Sequence, residues 1–189
     1  MRAFNQLEEK MNKTHTYPAL LDIPFISRVR RNHALEHATI HVLSERHRDF
    51  KLMGRSSLWG FYIYGNVPTE EVLSAAQEGW RRLRAGQRQM AIRPDCGTNL
   101  VVAGVLAGLG AFLALGGLSI NRDKSFWDRL ARLPLAFTAA MMGIVLARPL
   151  GPTVQARVTT RADVGDMRIV GVTQERKAGI VIHHVRTEG

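Results

Sequence analysis

The chain of 189 residues has a single cysteine, Cys96. A lone thiol closes no disulfide within the chain, which excludes a disulfide scaffold and fits a reducing compartment. Acids are scarce as well: 16 Asp and Glu stand against 26 Lys and Arg, a formal net charge of +10. Charge of that sign suggests nucleic acid or an anionic membrane surface. No zinc-finger spacing, RNP motif or basic zipper is present, so no nucleic-acid partner is expected. Neither a P-loop nor a Gly-x-Gly-x-x-Gly after a strand occurs, which argues against nucleotide binding. Cys-x-x-Cys-His is missing, so covalent haem is not indicated. Met1 to Lys13 is polar and mixed in charge, unlike a secretory signal. With 46% hydrophobic residues the chain is not a disordered one.

One more absence is local. From Cys96 to Asn121 there is no charged residue, and from Leu100 to Leu118 no polar side chain. An apolar run of ~20 residues has the length of a membrane-crossing helix. The alternative, a buried helix in a soluble protein, seldom lacks a polar face over five turns. Gly104 and Gly108 form a small-xxx-small pair, which suits close approach of another helix, in this chain or in a second copy. A second uncharged run, Leu133 to Ala147, lies between Arg132 and Arg148. It is short, but both arginines can snorkel, and the run extends to about Val154. Pro134 suits its first turn, and Pro149 with Pro152 its end. The expected spans are about 97–120 and 133–153, a hairpin in the lipid bilayer joined by a loop carrying Phe126 and Trp127. Arg81, Arg82, Arg84, Arg88 and Arg93 precede the hairpin; Arg148, Arg157 and Arg161 follow it. The loop has Arg122, Lys124, Arg129 and Arg132. That 8 to 4 balance puts both termini in the cytoplasm by the positive-inside rule; the family resemblance given below implies a bacterial inner membrane.

The remainder reads as an α+β part: a small mixed sheet with two helices, interrupted by the two-helix hairpin. Residues 1–26 read as a weakly structured or interfacial leader, 27–95 as a cytoplasmic α+β part, 96–154 as the hairpin, and 155–189 as a β part packing on 27–95. Helices are expected from Ser27 to about Arg48 and from Pro68 to about Ala85. The second has Glu70 and Glu71 in its first turn and Arg81, Arg82 and Arg84 in its last. Strands are expected at Leu52–Ser56, Gly60–Tyr64, Gln89–Arg93, Val154–Thr159, Met167–Thr173 and Gly179–Arg186, the last two turning around Glu175-Arg176-Lys177.

The chemistry lies in the first helix. Asn32-His33-Ala34-Leu35-Glu36-His37-Ala38-Thr39-Ile40-His41 contains His-x-x-Glu-His, the inverted zinc-protease motif. At about 100° per residue His33 and His37 lie one turn apart, about 40° around the helix, and two imidazoles there can share one ion. Glu36 sits beside them, where a general base for an activated water belongs. His41 is ~12 Å of helix from His33, so one ion cannot take all three histidines. Either His33 and His37 bind, with Glu36 as base, or His37 and His41 bind and Glu36 only supports them. The first pairing matches a known catalytic logic. A third ligand has to come from Cys96, His183, His184, Glu70, Glu71 or Glu78. A set of histidines that merely pair with Glu36 and Glu45 on a polar helix face is the bland alternative.

The motif pair, His33 to His41 on one side and Cys96-Gly97-Thr98-Asn99 before a span on the other, resembles a family of uncharacterised bacterial membrane proteins classed as domains of unknown function. That resemblance runs from about Arg30 onward and includes Gly60-Phe61-Tyr62-Ile63-Tyr64-Gly65. More distantly, His33, Glu36, His37 and Cys96-Gly97-Thr98 resemble a second uncharacterised family of metal-dependent enzymes. Asp95 departs from it, since that family has a basic residue there. The resemblance implies that these residues belong to one site; it implies no reaction. Two functions follow as expectations. One is a membrane-anchored Zn2+-dependent hydrolase, with the peptidases as its nearest chemistry: His33, His37 and Cys96 hold the metal and Glu36 is catalytic. The other is a non-catalytic membrane scaffold or interaction protein with a structural metal site or none.

Overall fold

The computed structural model describes residues 20–47, 51–117 and 126–189. Most of the expected leader, Arg48 at the end of the first expected helix, and the loop positions 118–125 with Arg122 and Lys124 lie outside the described residues.

Helix α1, Pro24–Arg46, opens with proline in its first turn, where the missing N–H costs nothing. It is the centre of the α+β part. Ala34 to Ile40 is buried without a break, which explains why its sequence shows no clean apolar stripe. Burying polar side chains there requires partners. Asn32 has them: its Nδ2 donates to the carbonyls of Ser57 and Leu58 at 2.8 and 3.2 Å, and its Oδ1 accepts from Thr187 Oγ1 at 2.7 Å. Strands β1, Met53–Ser57, and β2, Gly60–Tyr64, form a hairpin under this helix. Helix α2, Thr69–Arg84, buries Val72, Ala75, Ala76, Gly79 and Leu83, a 3.6-residue stripe. Gly79 lies where it meets α1: a Cβ there would come within 3.0 Å of the Ala38 backbone.

Two apolar helices follow. Helix α3 is Gly97–Ala114, helix α4 is the short Phe126–Ala131, and helix α5 is Leu133–Val154. α3 and α5 pack together. Gly110 lies against Ala139, and Gly143 against Leu106, so close that a Cβ at Gly110 would stand 2.7 Å from the Ala139 carbonyl oxygen. Gly104 and Gly108 have open space in front of them instead. Both helices are long and apolar enough to cross a membrane. Their outward side chains, among them Leu100, Val105, Phe112, Leu135 and Phe137, are exposed.

Strands β3, Arg168–Lys177, and β4, Ile180–Glu188, complete one sheet in the order β1-β2-β4-β3. Phe61 and Ile63 on β2, with Val181, His183 and Val185 on β4, share the buried face, as period-two alternation requires.

The structure corrects several expectations. All three strand pairings are antiparallel, so the sheet is not mixed. Gln89–Arg93 is not a strand: Arg88–Ala91 is a 3-10 turn, and the carbonyls of Ala91 and Ile92 serve His37 and His41 of α1. Val154–Thr159 is not a strand either. Its β-branched residues continue out of α5 as a π-helical turn, Gln155–Thr159, because contiguity with a long helix outweighs a weak strand preference. Pro149 and Pro152 stand inside α5 and do not end it. The last hairpin turns at Ala178-Gly179, with φ of 49° and 81°, rather than at Glu175–Lys177. A two-residue turn that twists with its strands needs both residues at positive φ, and glycine supplies one of them freely. Residues 24–26 belong to α1 and not to a leader.

Candidate metal centre

His33 and His37 lie one turn apart on α1, and their tautomers are set by the backbone. His33 Nδ1 donates to the Thr159 carbonyl at 2.9 Å, and His37 Nδ1 to the Ala91 carbonyl at 2.7 Å. A carbonyl only accepts, so each Nδ1 carries a proton; in the neutral ring Nε2 keeps the lone pair that a metal needs, and in the protonated ring Nε2 donates to the Cys96 thiolate instead. This is how metal-binding histidines are commonly oriented. His33 Nε2 faces Cys96 Sγ at 3.4 Å. The available ligand atoms of His33, His37 and Cys96 all lie within 4.8 Å of one another, and the three could hold a metal ion.

Cys96 comes to this point by way of the hairpin. It is the N-cap of α3, and its sulfur accepts from Thr98 N at 3.4 Å. Behind it Gln155 is fully buried. Its Oε1 accepts from Arg93 N at 2.9 Å; its Nε2 donates to Arg93 O and to Asn99 Oδ1 at 2.8 and 2.6 Å. Gly151 leaves room for the Asn99 side chain. The π-helical turn at Gln155 also delivers Thr159, whose carbonyl holds His33. Nothing in the residue types announces this turn, and sequence reasoning misses Gln155 and Thr159. Gln155→Leu is expected to leave two half-buried groups without this partner, Arg93 N and Asn99 Oδ1, while the Arg93 carbonyl keeps Asn99 Nδ2 at 3.2 Å. It should cost about 2–3 kcal/mol, read as a lowered melting temperature in detergent, and should reduce metal occupancy with it.

Glu36 is the unusual member. It is only 4% exposed, and its Oε2 has no hydrogen-bond partner among the described residues. Its carboxyl occupies the space that a side chain at residue 54 would fill, and residue 54 is glycine. Burial drives its pKa up to about 7, with the Cys96 charge adding to the rise and His33 and Arg93 opposing it. Burial lowers that of His37. For His33, burial pulls the other way, but the Cys96 hydrogen bond and the Glu36 charge prevail and the pKa rises. Burial also disfavours a charge on Cys96, yet hydrogen bonds from His33, His37 and Thr98 outweigh it and hold the thiol down at about 5. In metal-free protein Cys96 is therefore expected to stay alkylable by iodoacetamide as pH falls toward 5, well below the ~8.5 of a free thiol. Bound metal should protect it. Loss of reactivity already at pH 7 to 8 would contradict a thiolate.

The other sequence candidates lie elsewhere. His41 Nε2 donates to the Ile92 carbonyl at 2.9 Å and so ties the linker to α1, outside the cluster. His183 is buried in the sheet core, and His184 stacks on Tyr62. Glu71 pairs with His47, Glu78 with Arg81 and Arg82, and Glu70 is exposed. Glu45 binds Arg82 and no histidine of the motif. A cavity of about 910 Å³ opens on the cluster, bounded by α1, β1, the 93–100 segment and α5.

No solved structure matches this chain. An uncharacterized protein of Picosynechococcus sp. is 37% identical over 153 residues, 76% of this chain and 69% of the relative. A family model matches residues 28–172, the stretch that holds His33, Glu36, His37, Cys96, Gln155 and Thr159. The chain therefore belongs to the family described as a domain of unknown function, DUF6391.

Proposed function

We propose that the protein is a membrane-anchored, zinc-dependent hydrolase working at the cytoplasmic face. One observation carries the reading: a buried carboxyl with an unpartnered oxygen stands next to two histidines and a cysteine, at a cavity large enough for a substrate. The donor set fits zinc. Thiolate and imidazole are its preferred ligands, whereas Mg2+ and Ca2+ take oxygen. Three protein ligands are the number that catalytic zinc sites use, with a position left for water or substrate. Zinc held by His33, His37 and Cys96 would supply a Lewis acid and make water more acidic. Glu36 takes the proton through Oε2. A carboxyl balanced near neutral pH can both accept that proton and return it to a leaving group. Thr159 and Ala91 hold Nδ1 of His33 and His37 and so leave Nε2 as the ligand nitrogen on the Cys96 side.

The exposed apolar faces of α3 and α5 support anchoring in a bilayer. Soluble monomers rarely expose contiguous apolar patches beyond a few hundred Å². The 8 to 4 basic count favours cytoplasmic termini. The first test is elemental analysis of protein purified in detergent. About one zinc per chain is expected; a metal-free protein that takes up none on dialysis against zinc would end the reading. For topology, a Cys96→Ala, Ser125→Cys protein is expected to react with an impermeant maleimide from outside. Labelling only from the cytoplasm would reverse the orientation.

A further inference from the structure

The cavity over the cluster has two kinds of wall. Leu100 and Ala103 of α3 and Ile144 of α5 bring the apolar surface of the hairpin into it. Arg55, Arg93 and Arg148 bring positive charge. Arg148 is the only charged residue in α5 and is exposed. The Arg93 side chain is 13% exposed; its Nη2 reaches Asp95 at 3.5 Å, while Nη1 is buried with no hydrogen-bond partner among the described residues. A desolvated guanidinium N–H without an acceptor is costly, and a slight turn of this side chain toward the cavity that it lines would give that N–H an anion to pair with. The apolar surfaces of α3 and α5 continue outward along the hairpin from the same opening.

We infer that this cavity binds an anionic phospholipid, its headgroup among Arg55, Arg93 and Arg148 and its acyl chains along Leu100, Ala103 and Ile144. The inference rests on the proposed membrane anchoring and names the substrate class of the same site. A soluble anion satisfies the arginines but leaves the apolar wall uncovered. A lipid with no phosphate covers the wall but leaves Arg93 Nη1 unpaired, and a zwitterionic one offers a phosphate but brings a choline cation among three arginines. Only a molecule with both parts meets both walls.

The test is lipid retention by the full chain, purified in a neutral maltoside detergent and incubated with mixed micelles of phosphatidylglycerol and phosphatidylcholine. Retained lipid is counted by native mass spectrometry, and zinc is measured on the same samples. Phosphatidylglycerol should be retained preferentially. Arg148→Gln should weaken the preference about fivefold, the typical share of one arginine near a lipid surface, and Arg148→Lys should restore most of it. Ala103→Trp, which fills the apolar wall, should abolish retention of the selected lipid. Arg157→Gln, a basic residue at the same end of the hairpin but outside the cavity lining, should change nothing. Equal retention of the two lipids overturns the inference, as does equal loss in Arg157→Gln, which would mark general attraction to the headgroup layer. Displacement of the lipid by inorganic phosphate alone, or by an acidic peptide alone, overturns it in favour of those ligands. Zinc present without lipid preference removes the inference and leaves the metal site standing. Lipid preference without zinc does the reverse.

Discussion

His33→Ala, His37→Ala and Cys96→Ala are each expected to empty the metal site, from about one zinc per chain to below ~0.1, since loss of one of three ligands removes a large part of the binding free energy. Glu36→Gln is expected to keep the metal. Glutamine preserves the shape in the space beside Gly54 and removes the base. Any hydrolysis that the wild type performs should fall by about 10²–10⁴-fold in that variant, the usual contribution of general-base catalysis. Cobalt substitution gives a second readout. The thiolate-to-cobalt charge-transfer band should be present in wild type and Glu36→Gln, and absent in Cys96→Ala. Metal lost from Glu36→Gln would make Glu36 a ligand and weaken the hydrolase assignment. Metal kept through both histidine changes would return those residues to plain hydrogen bonding on a supporting helix.

The second large effect is expected at a residue with no side chain. Gly54→Ala places a methyl where the Glu36 carboxyl lies. Something must move, and β1 is tied to its neighbour along Met53–Ser57, so the carboxyl is the softer partner. Overpacking of this kind costs about 1–3 kcal/mol, visible as a lower melting temperature. Zinc content should stay near wild type, because His33, His37 and Cys96 are held from other elements. Activity should fall toward that of Glu36→Gln. Unchanged activity with unchanged stability would mean that Glu36 does not need this space, and its role as base would lose its support.

Much of the framework is legible from local pattern. The two uncharged runs at Leu100–Leu118 and Leu133–Ala147 announce α3 and α5, because hydrophobicity over five turns is a local property. Gly60–Tyr64 reads as a strand and is one, with aromatic and β-branched residues on a half-buried surface. The one-turn spacing of His33 and His37 follows from helix geometry alone. Errors gather where a short segment depends on distant partners. Gln89–Arg93 has strand-like residues, but its carbonyls at Ala91 and Ile92 are taken by His37 and His41. Val154–Thr159 also looks extended, but it is the continuation of a helix into a π turn.

For the site the division is sharper. Sequence alone placed two histidines and a glutamate on one helix and a cysteine at the head of an apolar run, and left open which ligand would join them. The resemblance put Cys96 in one site with His33 and His37, and the fold brings the three together; spacing alone could not do so, because that return depends on Asn99 at the start of α3 and Gln155 just past the end of α5 bonding to one stretch of backbone at Arg93. Nor could it show that His41 is spent on a carbonyl, that Glu36 is buried with Oε2 unpartnered among the described residues, or that a glycine on β1 makes its room. Helix spacing is written in covalent geometry and survives in any context. Burial, tautomer choice and the meeting of side chains 59 residues apart are properties of packing, and exist only once the hairpin and the sheet have closed on α1.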